Sequence, residues 1–363
     1  MKNWVFLNSF VGLSARHLAS TQDTTKADQR LEDQQRQKII RTGTAQFDKG
    51  EKTILNSTSV DNSGNIFISY TLDSYSPNFT PIDRIYVSTN NGKHDNIKIE
   101  LPVGAASKTV VVVSASENNI KITGFYSQNS NNLTGVFSQI LNTTDLKISD
   151  AVQIPFPPVI VEQFEKDKLA STSTKKYGLF PITQSDIIPL KDGGFNLTGE
   201  LDNFTFSKTY FNATGSSYPQ YFTSGKDICG SLLNIHFSAD GKATFTRIPK
   251  LSESGLKGYY YKVFDLNDQA LIFYSDHFDN LSQDITRPPA KADDYKNSVL
   301  IAALISSNGN VQRRIIIDRD KDYRVVPWGI QRLSSSQFLV PLIRFKLFDK
   351  SSDEIKWGTV SVQ

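Results

Sequence analysis

The residues in this sequence best suited to chemistry lie in one short polar segment that follows an apolar run. The segment, 274–280, reads Tyr-Ser-Asp-His-Phe-Asp-Asn. Asp276 and His277 can exchange protons or bind a metal or polar ligand, and Asn280 adds an amide. The alternative is a turn in which the aspartate and the asparagine bond to their own backbone. We predict that Asp276, His277 and Asn280 contribute polar contacts to a ligand-binding site and break no bonds.

A second acidic segment has the alternating carboxylates of a calcium loop, at Asp318, Asp320 and Asp322. Tyr323 stands where an EF-hand requires glycine, and Gly329 where it requires glutamate. We therefore interpret the segment as a charged hairpin and predict no metal site. The four histidines also lack the spacing of a zinc site; they are His17, His94, His236 and His277. His236 alternates with apolar residues, which favours a structural role.

No sequence motif assigns a catalytic residue or a cofactor. The chain has no phosphate-binding loop, dinucleotide fingerprint or GxSxG elbow. Its net charge of +3 comes from nearly equal numbers of basic and acidic residues, without a basic stripe. Nucleic-acid binding needs a concentrated basic field, so we expect no nucleic-acid partner. We expect a monomer that binds an unknown polymer, glycan or protein ligand.

The N-terminal segment and the cysteine content give weaker information about location. Lys2 precedes an apolar segment typical of a signal peptide, but Asn8 and Ser9 interrupt it, and we favour a first β-strand. No apolar run reaches the length of about 18 residues that a transmembrane helix needs. Cys229 is the only cysteine, so no intrachain disulfide can form. We expect a bacterial periplasmic or cell-surface protein, with a cytoplasmic location as the alternative.

The elements that must position these residues recur along the chain from Ile54 onward. A polar turn is followed by an alternating strand, a second apolar run, another turn and a further strand. The alternating strands begin at Ile66, Ile120, Phe195, Ala270 and Phe338. The second runs are Arg84–Ser88, Gly135–Leu141, Ser231–Phe237, Val299–Ile305 and Gly358–Val362. Asn-Gly and Asp-Gly turns between such runs indicate hairpins because they tolerate positive φ.

Four-stranded units in series predict an all-β fold, which we interpret as a β-propeller of about five to seven irregular blades. Tandem β-sandwich domains are the alternative. Residues 1–53 are predicted to hold an N-terminal strand and a polar helical or mobile segment, and 54–363 to form one propeller-like domain. Three inserts are functional candidates. Gln163–Lys176 is predicted as a short helix and linker, Thr209–Lys226 as an irregular loop, and Asp276–Lys296 as a Pro-containing excursion.

Two turns support the propeller interpretation by resemblance. Ser88–His94 resembles a degenerate Asp-box, the turn between the outer strands of sialidase-like propeller blades, and Ser238–Lys242 resembles it more loosely. The segments Gly124–Phe137 and Asp240–Lys250 are similar to those of bacterial propeller-like repeat proteins. The box is structural in those families, so the resemblance implies blade geometry and says nothing of hydrolysis.

We therefore predict a non-catalytic binding or scaffolding propeller. The alternative is a sialidase-like or other glycan-processing enzyme. An enzyme requires acidic and basic side chains that converge in one pocket, which the sequence alone cannot pair.

Overall fold

Strands form nearly all of the regular structure, so the all-β prediction is confirmed. The computed structural model describes residues 4–7, 42–45, 52–61, 63–73, 82–102, 105–116, 119–128, 133–167, 182–211, 220–250, 252–254, 261–282, 287, 289, 298–318, 323–344 and 354–362. The chain divides into two compact units, Met1–Ile99 and Glu100–Gln363. The domain predicted over 54–363 stays a prediction.

The first unit contains a two-stranded ribbon and a four-stranded antiparallel sheet. The ribbon pairs β1 (Trp4–Leu7) with β2 (Thr42–Ala45). The sheet runs in chain order through β3 (Lys52–Val60), β4 (Ile66–Asp73), β5 (Ile82–Ser88) and β6 (His94–Lys98). Buried and half-buried residues alternate strictly along β5, the period of two that a pleated strand imposes.

The described residues of the second unit form four antiparallel sheets, one α-helix and short 3-10 helices. The second sheet consists of β7 (Ala105–Ser116), β8 (Asn119–Gln128), β9 (Gly135–Asn142) and β10 (Val152–Pro155), and helix α1 (Pro158–Asp167) follows it. The third sheet consists of β11 (Ile182–Pro189), β12 (Phe195–Phe211), β13 (Gln220–Phe237) and β14 (Ala243–Ile248), with β15 (Ser252–Ser254) also paired to β13.

The fourth sheet consists of β16 (Tyr261–Leu266), β17 (Gln269–His277), β18 (Ser298–Ile305) and β19 (Val311–Ile317), with a 3-10 helix at Phe278–Leu281. The fifth consists of β20 (Arg324–Val325), β21 (Gln331–Arg332), β22 (Gln337–Arg344) and β23 (Glu354–Ser361), with a 3-10 helix at Pro327–Gly329. Strands are present at the five positions where the sequence predicted alternating strands, as β4, β8, β12, β17 and β22, and their presence is confirmed.

Three apolar clusters join the sheets of the second unit in chain order. The first joins the second sheet and α1 to the third sheet, and it includes Phe125, Val136, Phe156, Phe164, Leu197 and Ile235. The second joins the third and fourth sheets, and it includes Ile188, Leu232, Ile248, Tyr261, Ile272 and Ile301. The third joins the fourth and fifth sheets, and it includes Leu271, Phe273, Leu300, Ile330, Phe338 and Val340. The first strands β7, β11 and β16 are neighbours. Each fully buried large apolar side chain contributes about 1.5–3 kcal/mol to folding.

A proline explains why the first strand of the fifth sheet is broken. Pro341 in β22 has no backbone N–H to donate, although its carbonyl accepts from Val326 N at 3.2 Å. β20 and β21 therefore pair with β22 on either side of Pro341, and the 3-10 helix Pro327–Gly329 spans the gap. A Cβ on Gly329 would lie 2.7 Å from Pro341 Cγ, so only glycine allows this approach.

The three predicted inserts differ in outcome. The irregular loop predicted over Thr209–Lys226 is wrong where the structure describes it, because β12 continues to Phe211 and β13 begins at Gln220. The predicted helix is present but begins at Pro158, where a proline is favourable because the first N–H of a helix is unpaired. The excursion predicted from Asp276 begins later, since Asp276 and His277 are still paired with Val299 and Ser298.

Candidate functional site

The short and long connections of the second unit leave its sheets by opposite edges. We call the edge with the short turns the turn edge; its turns are 143–147, 190–194, 238–242, 267–268 and 306–310. We call the opposite edge the loop edge; there the second strand of each sheet connects to the third through 129–134, 212–219, 278–297 and 345–353. Successive hairpins of an antiparallel sheet alternate between edges, which keeps the two kinds of connection apart.

Contacts between neighbouring sheets show that these edges align. On the turn edge, Lys121 Nζ donates to Gly193 O at 2.8 Å and Lys191 N donates to Asp268 Oδ1 at 3.1 Å. On the loop edge, Arg247 Nη2 donates to Arg287 O at 3.4 Å. The second, third and fourth sheets therefore place their turns side by side, and their longer connections leave from the other side.

The turn edge consists of turns that satisfy their own polar groups. Two of them share a hydroxyl residue, an Asp or Asn two positions later, and a glycine with positive φ; they are 238–242 and 306–310. Ser238 Oγ donates to the carboxylate of Asp240 and lies 3.1 Å from Lys242 O. Side-chain hydrogen bonds from Lys242 and then Ser238 lower the pKa of Asp240 to about 2. In the first unit, Thr89, Asn91 and Gly92 form a turn of the same kind, in which Thr89 is the hydroxyl residue.

The predicted site residues lie on the loop edge, at the end of β17. Asp276 is fully buried, and its Oδ1 accepts from His277 N and from Asn280 Nδ2, both at 2.8 Å. Asn280, in the following 3-10 helix, is also buried. The Asp276 carboxylate and the Asn280 amide thus hold the end of β17. This arrangement is close to the alternative prediction, a turn whose polar side chains bond to their own segment. A ligand contact for Asp276 and Asn280 stays a prediction.

His277 is the one of the three with an exposed part. Its side chain is 13% exposed, and its ring stacks on Phe278 with centroids 4.9 Å apart. Nδ1 accepts from Asp279 N at 3.2 Å and lies 3.6 Å from a carboxylate oxygen of Asp279. Because Nδ1 is an acceptor, the neutral ring carries its proton on Nε2, which can donate to a ligand.

Tyr274 and Arg313 lie beneath this strand end, on the face shared with Asp276. Burial raises the pKa of the Tyr274 phenol and the charge of Asp276 raises it further, while Arg313 opposes both effects. Arg313 Nη2 donates to Leu281 O at 3.2 Å, which connects β19 to the 3-10 helix. The Tyr274 phenol therefore stays protonated at neutral pH. Tyr274 and Arg313 have a structural role beneath the loop edge.

Two buried ion pairs, missed in the sequence, lie near the end of β14 in the third sheet. Lys250 Nζ donates to Glu200 Oε1, and the two side chains are 0% and 5% exposed. On the opposite face of the sheet, Arg247 binds Asp167 through Nη2 and through Nε, the latter at 2.7 Å. Ser231 Oγ also donates to Asp167, at 2.6 Å.

The second ion pair fixes the end of α1. Asp167 is the last residue of the helix, where a carboxylate opposes the helix dipole, so the Arg247 guanidinium offsets an unfavourable position. Arg247 also lies over the ring of Phe164, at 6.0 Å. Asp167 lies within the segment that the sequence predicted as a short helix and linker, and no local pattern links it to Arg247.

The fifth sheet has an exposed polar cluster at its loop edge. Lys356 Nζ lies 4.2 Å from the centre of the Tyr323 ring, and Glu354 lies 3.8 Å from Arg344 and 3.6 Å from Lys356. A hydrogen bond with Tyr323 is the main cause that lowers the pKa of Glu354 and raises that of Lys356. Unlike the buried pairs, the side chains of Glu354 and Lys356 are about half exposed, at 44% and 55%.

The remaining metal and histidine predictions have mixed outcomes. Within the described ranges, no three His, Cys, Asp or Glu residues come together as metal ligands. Only Asp318 of the acidic segment lies in those ranges, so its predicted hairpin stays a prediction. His236 is buried with Nδ1 3.3 Å from Asn196 Oδ1, and burial lowers its pKa, as suits a structural histidine. His17 lies outside the described residues.

Comparisons with known proteins identify no family. No protein-family model matches the chain, and no curated protein matches it. Among solved structures, the chain is similar to the polysaccharide lyase Uly1, with 8% identity and a TM-score of 0.40. The alignment covers 85% of this chain and 58% of the lyase chain. A likeness this weak carries no argument about chemistry. None of the described helices has the length and apolarity to span a bilayer.

Proposed function

We propose that this chain is a non-catalytic binding or scaffolding protein whose ligand contacts the loop edge. The observation that carries the proposal is the segregation of long connections onto one edge, beside an opposite edge of self-satisfied turns. Connections on a rigid sheet scaffold are where binding residues concentrate. The turn edge offers a ligand few polar groups that are not already bonded.

The architecture that we propose for this function is a β-propeller, with tandem sandwiches as the alternative. Two observations support it. The sheets of the second unit pack face to face in chain order, and their first strands are neighbours. Successive blades that share a central row of first strands would have both properties. The Asp-box resemblance remains part of this proposal, and so does a bacterial periplasmic or cell-surface location.

Within the loop edge, we assign the ligand contact in the fourth sheet to His277. Asp276 and Asn280 hold its backbone and the start of the 3-10 helix. We assign the donor role to Nε2 of His277, because its Nδ1 already accepts from Asp279 N. Of the charges described in the third sheet and α1, Glu200 with Lys250 and Asp167 with Arg247 already form buried pairs, so these four groups are engaged with each other. This pairing favours binding over the alternative of a glycan-processing enzyme.

A binding screen with a matched pair of histidine variants tests the proposal. The probes are a glycan array, a peptide array and soluble heparin, polygalacturonate and dextran. For any probe that binds, we expect His277→Ala on the loop edge to weaken binding. His94→Ala, which removes an exposed histidine beside a turn in the first unit, should leave it unchanged. Equal weakening of probe binding by the two variants would contradict the proposal that the ligand contacts the loop edge.

The same samples separate a binding protein from an enzyme. Each polysaccharide is incubated with the protein, and new reducing ends are measured over time. We expect none to accumulate. Steady release of reducing ends at substoichiometric protein would contradict the non-catalytic proposal, whichever variant binds.

A further inference from the structure

One face of the third sheet carries a row of polar side chains that crosses four of its strands. Asp186 in β11, Thr198 in β12, Asn234 in β13 and Thr246 in β14 are paired in register, each with the next. Directly paired residues of an antiparallel sheet project to the same side, so the four side chains share one face. Thr198, Asn234 and Thr246 are buried. We call these four residues the polar row.

The polar row faces the fourth sheet. Leu232, two positions before the β13 member of the row, belongs to the apolar cluster that joins the third and fourth sheets. Side chains two positions apart on a strand lie on the same face, so the row points toward the fourth sheet as well. Tyr261 in β16 donates from its hydroxyl to Thr198 O at 3.1 Å. A Cβ on Gly309, in the turn after β18, would lie 2.9 Å from Thr246 Oγ1. The row is therefore covered by the fourth sheet.

The amide of Asn234 has a protein partner for only one of its two polar atoms. Its Oδ1 accepts from Thr198 Oγ1 at 2.8 Å. Its Nδ2 is buried, and no described residue accepts a hydrogen bond from it. Rotating the amide by half a turn would only exchange the roles, because Nδ2 would then donate to Thr198 Oγ1 and Oδ1 would lose its donor. Either orientation leaves one buried polar atom of Asn234 to be satisfied.

Such an atom requires a partner, because a buried polar group without a hydrogen bond loses its solvation and gains nothing in return. Buried amides bond either to protein or to ordered water. A buried water molecule needs space and two to four polar partners. The fourth sheet contributes the small side chains of Ala270 and Ala303 to this interface. Thr246 Oγ1 is a second partner within reach of a water at Asn234, since the Cβ atoms of directly paired residues lie only about 4.5–5.5 Å apart.

We propose that an internal water molecule binds between the third and fourth sheets, where it accepts from Asn234 Nδ2 and donates to Thr246 Oγ1. A neutral ligand is favoured, because the N–H donor of the amide disfavours a cation and the Asp186 carboxylate in the same row disfavours an anion. The groups that bind the water lie on paired strands in the interior of the second unit. The site is therefore independent of the ligand proposed for the loop edge.

A high-resolution crystal structure of the full wild-type chain tests the proposal without any substitution. We expect an ordered water about 2.7–3.2 Å from the Asn234 amide atom that does not bond to Thr198, and at a similar distance from Thr246 Oγ1. The proposal is overturned if that amide atom bonds to protein instead, or if the space beside it is empty. Density too large for water, such as a bound buffer molecule, would also overturn it.

Oxygen-17 magnetic relaxation dispersion gives an independent test in solution, because it measures water molecules that stay bound for longer than the protein takes to tumble. A water enclosed between two sheets leaves only when they open locally, so it belongs to this class. Combining Asn234→Leu with Thr198→Val removes the amide and the hydroxyl bonded to it, so neither is left without a partner. We expect the dispersion amplitude of this double variant to fall by the contribution of one water per chain.

Thr123→Val provides the matched control for the solution test. It removes another fully buried hydroxyl, which already donates to Phe137 O at 2.7 Å, so the dispersion amplitude should stay at the wild-type value. Far-UV circular dichroism checks that each variant is folded. An amplitude that is unchanged in the folded double variant contradicts the proposal, and so does an equal fall in the double variant and the control.

Discussion

Replacing one partner of the buried Lys250–Glu200 pair should destabilise the protein much more than replacing both partners. Lys250→Met leaves the Glu200 carboxylate in a site where it is 5% exposed, without the ammonium that now binds it. An uncompensated buried charge costs about 3–5 kcal/mol in free energy of unfolding. Combining Lys250→Met with Glu200→Leu removes both charges and keeps similar volumes. Most of that loss should then be recovered.

Urea unfolding measures this difference. Free energies are obtained by linear extrapolation for the wild type, both single variants and the double variant, which completes a double-mutant cycle. The chain has two compact units, so the relevant transition is that of the second unit, which contains the pair. Salt should change the result little, because buried charges are weakly screened.

The exposed pair of Lys242 and Asp240 provides the control. Its Nζ–Oδ2 distance is 2.8 Å, but the side chains are 86% and 56% exposed. Lys242→Met should therefore leave the urea midpoint nearly unchanged. Our reasoning fails if Lys250→Met destabilises no more than Lys242→Met does. It also fails if the double variant loses the sum of the two single losses.

Two further predictions concern the turn edge and the third sheet. Gly241→Ala meets no atom within 4 Å but takes a φ of +84°, so we expect a loss of about 1–2 kcal/mol. Gly309→Ala has the same φ strain, and its Cβ would also lie 2.9 Å from Thr246 Oγ1. The melting temperature of the protein should therefore fall further for Gly309→Ala than for Gly241→Ala, and equal losses would contradict this. For His236, the folded pKa lies below the unfolded one, so the unfolded state binds the proton more tightly. Stability should fall as the pH drops below about 6.5, and His236→Gln should reduce that slope in urea titrations at several pH values. An unchanged slope would show that other groups cause the acid sensitivity.

The repeated strands could be predicted from the sequence because their causes are local. Alternation along β5 follows from the pleat, which places neighbouring residues on opposite faces. The turns follow from Asn-Gly and Asp-Gly pairs, which tolerate the positive φ observed at Gly92 and Gly241. These signals span a few residues, so the order of strands and turns was visible without any knowledge of the packing.

The ends of the elements were predicted less well, because pairing with a partner decides them. The segment after Thr209 has a composition typical of a loop, yet β12 and β13 extend into it by pairing with each other. β17 likewise continues through Asp276 and His277 because β18 pairs with them. That extension carries Asp276 into the core, whereas the sequence suggested an exposed rim.

For the candidate site, the sequence alone determined which polar residues follow β17, since their order is local. The tertiary structure decided which of them are buried, which edge they share and which charges meet. Lys250 and Glu200 are 50 residues apart, and Arg247 and Asp167 are 80 residues apart. No local pattern relates such positions, because their contact depends on the register of several strands and on how the sheets pack.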